Sequence, residues 1–218
     1  MTLPPGLAEQ INRHRHVKVP RRLREQQLLA LAGDLFARNG YAGTSMDELA
    51  RRAGISKPVV YELLGSKEQV YRRCVLQQSE ELAAAIGTAT AAESDPGRRL
   101  QAGVLAFFRF VQAHRRVWEA LAGEVSPFAE QAAQVRRRQT ELATALIADG
   151  ARALGLELDA TRIEATAHLI NGAVEGLARW WGGHPELSPE RCAEWVVDLV
   201  LPGLASMTGR RSGTAVSA

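Results

Sequence analysis

Hydroxyl, ammonium and phenol groups recur between residues 44 and 67 at spacings that bring several of them to one side of a short helix. Ser56, Lys57 and Tyr61 lie within about five residues of each other, at the start of a predicted helix. Such groups donate hydrogen bonds to oxygen acceptors, and an ammonium group attracts phosphate. Because an α-helix fits the major groove and its N-terminal residues reach base edges, this pattern is typical of a helix that binds double-stranded DNA.

Capping signals predict two short helices that would position these groups. Ser45 stands three residues before Glu48, which is the spacing of a capping box, and opens a helix to about Ala53. Ser56 can cap the second helix, in which Pro58 is tolerated because it lies in the first turn.

The residues between the two helices suit a helix-turn-helix. Ala50 supplies a small side chain where the helices approach most closely, and Gly54 tolerates the positive φ that the turn requires. Apolar side chains that would join this unit to a core are Leu49, Ala53, Ile55, Val60 and Leu63.

The charge of the chain is unevenly distributed. Residues 1–73 contain 13 Lys and Arg against 7 Asp and Glu, whereas the remainder contains 14 against 17. A basic N-terminal segment attracts polyanions through Coulomb attraction and counterion release.

Composition excludes several protein classes. The chain has 218 residues, 46% hydrophobic and 23% charged, which is enough for a buried core. It has no apolar run of membrane-spanning length and no secretory signal, and Cys74 and Cys192 are too few for a disulfide framework, so we expect a cytoplasmic protein. No nucleophile with a base, phosphate-binding glycine loop or metal cluster has catalytic spacing, so we expect neither an enzyme nor a cofactor.

Helical periodicity continues to the C-terminal region, and no segment alternates with period two, so the predicted fold is all-α with about nine helices. The predicted organisation is a mobile basic arm (1–20), a helix-turn-helix domain (21–66), a ligand-binding and dimerisation domain (67–208) and a flexible tail (209–218). After a linker at residues 94–97, helices are predicted over residues 98–113, 115–122, 127–154, 160–181 and 189–207.

Three runs of sequence resemble the DNA-binding domain of TetR-type transcriptional regulators. They are residues 40–50 (GYAGTSMDELA), 53–61 (AGISKPVVY) and 65–68 (GSKE), which agree in register. The resemblance implies a homodimer with a three-helix DNA-binding head, a helical ligand-binding body and two C-terminal helices in a four-helix dimer interface.

The resemblance also implies roles for individual residues. Thr44 and Ser45 would contact phosphate, Lys57, Pro58 and Val59 would face the groove, and Tyr61 and Lys67 would hold the backbone. Where the family has His and Phe after the tyrosine segment, this chain has Leu63 and Leu64, and Leu63 cannot donate a hydrogen bond. We expect basic residues near the arm to compensate. The predicted DNA-binding residues are Arg21, Arg22, Thr44, Ser45, Ser56, Lys57, Pro58, Val59, Tyr61 and Lys67, with Lys18 and Arg24 in support.

Aromatic residues cluster after the linker and suit either core packing or the lining of an apolar ligand cleft. The candidate ligand-binding residues, including two polar ones, are Phe107, Phe110, His114, Trp118, Phe128 and Asn171.

Apolar residues step by three and four along the last two predicted helices, as in a coiled-coil seam. Burial within one subunit and burial between two subunits both explain the pattern, and the two-fold symmetry of a helix-turn-helix dimer favours the second. The candidate interface residues are Ile163, Ala167, Ile170, Val174, Leu177, Trp181, Val196, Leu199 and Gly203.

Together with these patterns, the resemblance implies a regulator, a repressor in our interpretation, that leaves a palindromic DNA operator when a small apolar ligand binds its body. An activator of the same family and a ligand-independent DNA-organising protein are the alternatives.

Overall fold

The computed structural model describes residues 6–13, 19–115 and 129–209, which form nine helices and no strand. The all-α prediction is confirmed. The helices are α1 (Leu7–Asn12), α2 (Arg21–Gly43), α3 (Met46–Ala53), α4 (Lys57–Leu64), α5 (Lys67–Ala91), α6 (Pro96–Ala113), α7 (Ala129–Ala153), α8 (Ala160–Trp181) and α9 (Pro189–Gly209).

The termini of several helices differ from the sequence prediction. The region predicted as an unstructured arm contains α1, which begins after Gly6. The predicted linker supplies the cap of α6, because Asp95 Oδ1 accepts a hydrogen bond of 2.8 Å from the backbone N–H of Arg98. The helix predicted over residues 115–122 lies almost wholly outside the described residues, as does the predicted tail beyond Gly209.

The chain divides into two compact units, with a boundary between Glu80 and Glu81 inside α5. In the first unit, which contains the head, α2 packs against α3 and α4, and Leu28, Leu35 and Val60 are fully buried. This unit extends beyond the boundary expected at residue 66, since the first half of α5 also buries side chains: Val70, Tyr71, Cys74 and Val75.

The second unit is built around α6 and α9, which pack along each other and contact α8. Phe108 is fully buried, and its ring meets the edge of Trp181 at a centroid distance of 5.7 Å. Arg109 and Glu190 join α6 to α9 with an ion pair of 3.1 Å. Arg115 donates to the carbonyl of Gly182 at the end of α8.

Within the described ranges, none of the helices combines the length and apolar character needed to cross a membrane.

Candidate DNA-binding site

The two short helices of the predicted helix-turn-helix begin and end where local chemistry requires. Ser45 Oγ accepts from the backbone N–H of Asp47 at 3.2 Å and caps α3. Gly54 ends α3 with φ of 68°, a left-handed conformation that glycine adopts without steric cost. Ser56 precedes α4 but makes no side-chain cap bond.

The expected capping box of α3 forms only in part. Glu48 does not return to the N–H of Ser45; instead it accepts from Arg51 and Arg52 at 2.6 Å each. These hydrogen bonds lower the pKa of Glu48, the one from Arg51 most strongly. A complete capping box does form at the start of α5, where Ser66 and Gln69 are joined in both directions at 2.7 and 3.2 Å.

The candidate DNA-facing surface is the outer side of α4. Ser56, Lys57 and Pro58 are exposed, Tyr61 is 42% exposed, and Val59 is half-buried. On the opposite side Val60 and Leu64 are buried and attach the helix to the core, while Leu63 is half-buried. The structure thus brings the predicted α4 residues together at the surface, with Glu62 also exposed among them.

Thr44, one of the two predicted phosphate contacts at the start of α3, faces the interior of the head. Its side chain is buried, and Oγ1 donates to the carbonyl of Gly40 at 2.7 Å. The hydroxyl satisfies a carbonyl at the end of α2, so Thr44 positions the turn, whereas the neighbouring Ser45 is exposed.

An aromatic cluster that the sequence did not single out positions Lys67. The Nζ of Lys67 lies 4.6 Å from the ring centroid of Tyr41 and donates to the carbonyl of Ala42 at 3.3 Å. Tyr41 in turn contacts the rings of Phe36 and Tyr71. Burial raises the pKa of Tyr71, so its hydroxyl stays neutral. These contacts hold the Lys67 ammonium beside the end of α2.

The basic residues near the start of α2 have different surroundings. Arg24 donates to Gln27 at 2.7 Å and is half-buried, and Arg21 pairs with Glu25 at 2.9 Å. Hydrogen bonds from Arg21 and Arg73 lower the pKa of Glu25. Arg22 is exposed. Lys18 lies outside the described residues.

The candidate ligand residues are only partly described. Phe107 is buried against Phe108, with ring centroids 5.5 Å apart. Half-buried Phe110 stacks on His114 at 4.1 Å, and Nδ1 of that histidine lies 3.0 Å from the Phe110 carbonyl. Asn171 donates to Thr140 Oγ1 at 3.3 Å, which joins α8 to α7. Trp118 and Phe128 lie outside the described residues.

Two further polar groups lie on the same two helices. The buried Gln139 Nε2 on α7 has no hydrogen-bond partner, and burial raises the pKa of Glu175 on α8.

The predicted interface seam packs largely within the chain. The buried members are Ala167, Ile170, Val174, Trp181 and Val196. Ile163 and Leu177 are half-buried, and Leu199 and Gly203 are exposed. The intrachain alternative therefore accounts for most of the seam, because the same side chains fill the core of the second unit.

A different stripe of α8 and α9 is exposed. Leu169 is 74% exposed and Leu199 77%, and the exposed rings of Trp180 and Trp195 have centroids 6.3 Å apart. A Cβ added at Gly172 would meet no atom within 4 Å, so this part of α8 is open.

Both cysteines are packed rather than reactive. Cys74 and Cys192 are buried, and burial raises the pKa of the Cys74 thiol to about 12. Over the ranges with described side chains, His, Cys, Asp and Glu form no group of three or more that could hold a metal ion.

Two parts of the chain match families of known proteins. Residues 28–74 match the family described as "Bacterial regulatory proteins, tetR family", and residues 96–203 match "Tetracyclin repressor-like, C-terminal domain". A relative from Mycolicibacterium smegmatis, the HTH-type transcriptional activator FasR, is 31% identical over 200 residues, which cover 89% of each chain.

Solved structures agree with these matches. A TetR-like transcriptional regulator from Rhodococcus sp. RHA1 superposes with a TM-score of 0.67 at 29% identity, covering 86% of this chain and 99% of the other. The regulator FadR from Bacillus subtilis, crystallised with stearoyl-CoA, has the same fold at a TM-score of 0.69 and 13% identity, covering 81% and 97%. The protein belongs to the TetR family of bacterial transcriptional regulators.

Proposed function

We propose that the chain is a ligand-responsive, homodimeric regulator that binds a palindromic operator through α4. The observation that carries this proposal is that α4 has one buried and one exposed side. Val60 and Leu64 are buried, while Ser56, Lys57 and Tyr61 face outward. In a two-fold dimer such helices enter successive major grooves about 34 Å apart. Because it must reach the chromosome, we place the protein in the cytoplasm.

The exposed stripe of α8 and α9 supports a homodimer. Leu169, Trp180 and Leu199 present apolar surface on neighbouring helices, and exposed apolar surface of this kind marks protein interaction sites. The open positions at Gly172 and Gly203 let a partner helix approach closely, since neither glycine is required by a contact within the chain. The interface we propose contains Leu199 and Gly203 from the predicted seam, together with Leu169 and Trp180.

The proposed ligand carries a long apolar chain. On α7, Leu142, Leu146 and Ile147 are only half-buried, so this helix leaves apolar surface for a guest. The crystal structure of FadR from Bacillus subtilis, which has the same fold, is a complex with stearoyl-CoA and supports this choice of ligand. We propose an acyl thioester or fatty acid, with Asn171 or Gln139 bonding its polar end.

The direction of regulation follows from operator position rather than from the head. Our prediction is a repressor that the ligand releases. The name of the M. smegmatis relative favours activation as a second candidate. In vitro transcription from a promoter that carries the operator decides, because a repressor lowers transcript yield and an activator raises it.

The test is selection of binding sites from a random duplex library, followed by fluorescence anisotropy on the selected and scrambled duplexes at two salt concentrations. We expect an inverted repeat saturating at two subunits per site or a multiple. Stearoyl-CoA should weaken that binding about 5- to 150-fold through differential affinity for two body conformations. Equal, salt-sensitive binding to both duplexes contradicts the proposed operator. A compound that binds free and DNA-bound protein equally well is not an inducer.

The arginines at the start of α2 give a graded prediction. Arg22→Ala should reduce the magnitude of the slope of log affinity against log salt by about one unit per head, because one phosphate contact is lost. Arg21→Ala should reduce it less, because Arg21 shares its charge with Glu25 at 2.9 Å. Anisotropy titrations across salt concentrations measure both slopes. If both variants keep the slope of the wild type, the start of α2 does not contact DNA.

A further inference from the structure

An ion pair on the candidate DNA-facing surface joins α3 to α4. Lys57 Nζ, on the first residue of α4, donates to Asp47 Oδ2 in the first turn of α3 at 2.8 Å. The side chains are 46% and 68% exposed, so solvent and other ions reach both partners. The Asp47 carboxylate raises the pKa of Lys57, which keeps the ammonium charged.

Local structure favours this pair in the head without DNA. A lysine at a helix N-terminus is opposed by the helix dipole, whereas an aspartate there is favoured. Asp47 therefore stabilises α3 and compensates the charge of Lys57 at the start of α4. Its backbone N–H is held by the Ser45 cap at 3.2 Å, which fixes its place beside α4.

The pair differs from the other ion pairs of the head. Glu25, Asp34 and Glu48 pair with arginines of α2, α3 or α5. Asp47 instead forms an ion pair with a lysine on the exposed side of α4, which is the side proposed to enter the groove.

We propose that Asp47 is a specificity-determining residue that keeps the charged Lys57 in an ion pair until an operator base edge or phosphate replaces the carboxylate. The inference rests on the proposed DNA-binding function. On non-specific DNA, where α4 meets no matching base edge, the pair stays closed and Lys57 releases no counterion. At the operator, guanine N7 and O6 or a phosphate oxygen accepts from Lys57. Asp47 thereby lowers non-specific affinity more than operator affinity.

The experiment is a double-mutant cycle of Asp47→Asn and Lys57→Gln, measured by anisotropy on the selected and the scrambled duplex over a range of salt. Asp47→Asn should tighten binding to scrambled DNA by about three- to ten-fold per dimer, as expected for an exposed ion pair present twice. It should also steepen the salt slope on scrambled DNA by about one unit per head. The slope on the selected duplex should stay unchanged, because Lys57 already contacts DNA there.

The matched control is Glu68→Gln. Glu68 forms an exposed pair with Arg72 on α5 at 3.2 Å, with side chains 57% and 48% exposed. This variant removes the same charge from the same unit but leaves the pair of Lys57 intact. Its effect should be the same with Lys57 or Gln at position 57, whereas the effect of Asp47→Asn should vanish in the Lys57→Gln protein.

Three results would overturn the inference. They are no gain on scrambled DNA, an equal change of slope on both duplexes, and a gain that persists in the Lys57→Gln protein, since the last two indicate charge removal alone. Wild-type protein that binds neither duplex at low salt would instead reject the proposed function itself. Circular dichroism should show unchanged helix content in every variant, because the substituted side chains are exposed.

Discussion

Leu199→Glu is expected to convert the protein to a monomer and to abolish tight operator binding. Leu199 is 77% exposed in the single chain, so glutamate there disturbs no core of its own subunit. In a two-fold dimer built on the exposed stripe, the substitution places an unpaired carboxylate at two symmetric positions. Because burying each charge costs several kcal/mol, we expect the dimer dissociation constant to rise at least about 100-fold.

Sedimentation equilibrium and anisotropy on the selected duplex measure the two consequences of this substitution. Leu154→Glu is the matched control, since Leu154 is 55% exposed but follows the last residue of α7 and belongs to neither helix of the stripe. It should leave the mass and the operator affinity unchanged. A dimeric Leu199→Glu protein with the affinity of the wild type would show that the subunits associate through another surface.

The head could be predicted from sequence because its signals are local. The Ser45 cap and the positive φ of Gly54 act within a few residues, and the structure has both. Thr44 and Glu48 each have a second feasible partner three or four residues away, and spacing alone does not decide between two such partners. Thr44 Oγ1 found the carbonyl of Gly40, and Glu48 found Arg51 and Arg52. A side-chain group with two feasible partners is decided by geometry, not by residue type.

The sequence predicted the helices of the body, but not which face of each helix is buried. A spacing of three and four defines two stripes on α8, one through Ile170 and Val174 and another through Leu169 and Trp180. Periodicity shows that a stripe is apolar, but not whether its partner is α6, α9 or another subunit. The structure buries the first stripe and exposes the second. The Trp180 to Trp195 contact also depends on how α8 and α9 pack, which no local signal encodes.

Phe108→Ala should destabilise the second unit by about 3 to 5 kcal/mol, the usual loss for truncating a fully buried phenylalanine. Phe108 has no exposed surface, and its ring meets Phe107 at 5.5 Å and Trp181 at 5.7 Å, both edge-on. Alanine removes the transfer free energy of the ring and both aromatic contacts, and leaves a cavity where α6 meets α8. The loss is therefore large for a single substitution in a marginally stable unit.

Denaturant unfolding followed by tryptophan fluorescence measures this effect, because Trp180, Trp181 and Trp195 all belong to the second unit. Protein concentration is held constant, since dimerisation adds to apparent stability. Phe108→Leu should lose roughly half as much, because leucine refills part of the cavity. The predicted loss is large because Phe108 has no exposed surface. If alanine and leucine both unfold with the wild-type midpoint, Phe108 is not packed between α6 and α8, and the core of the second unit lies elsewhere.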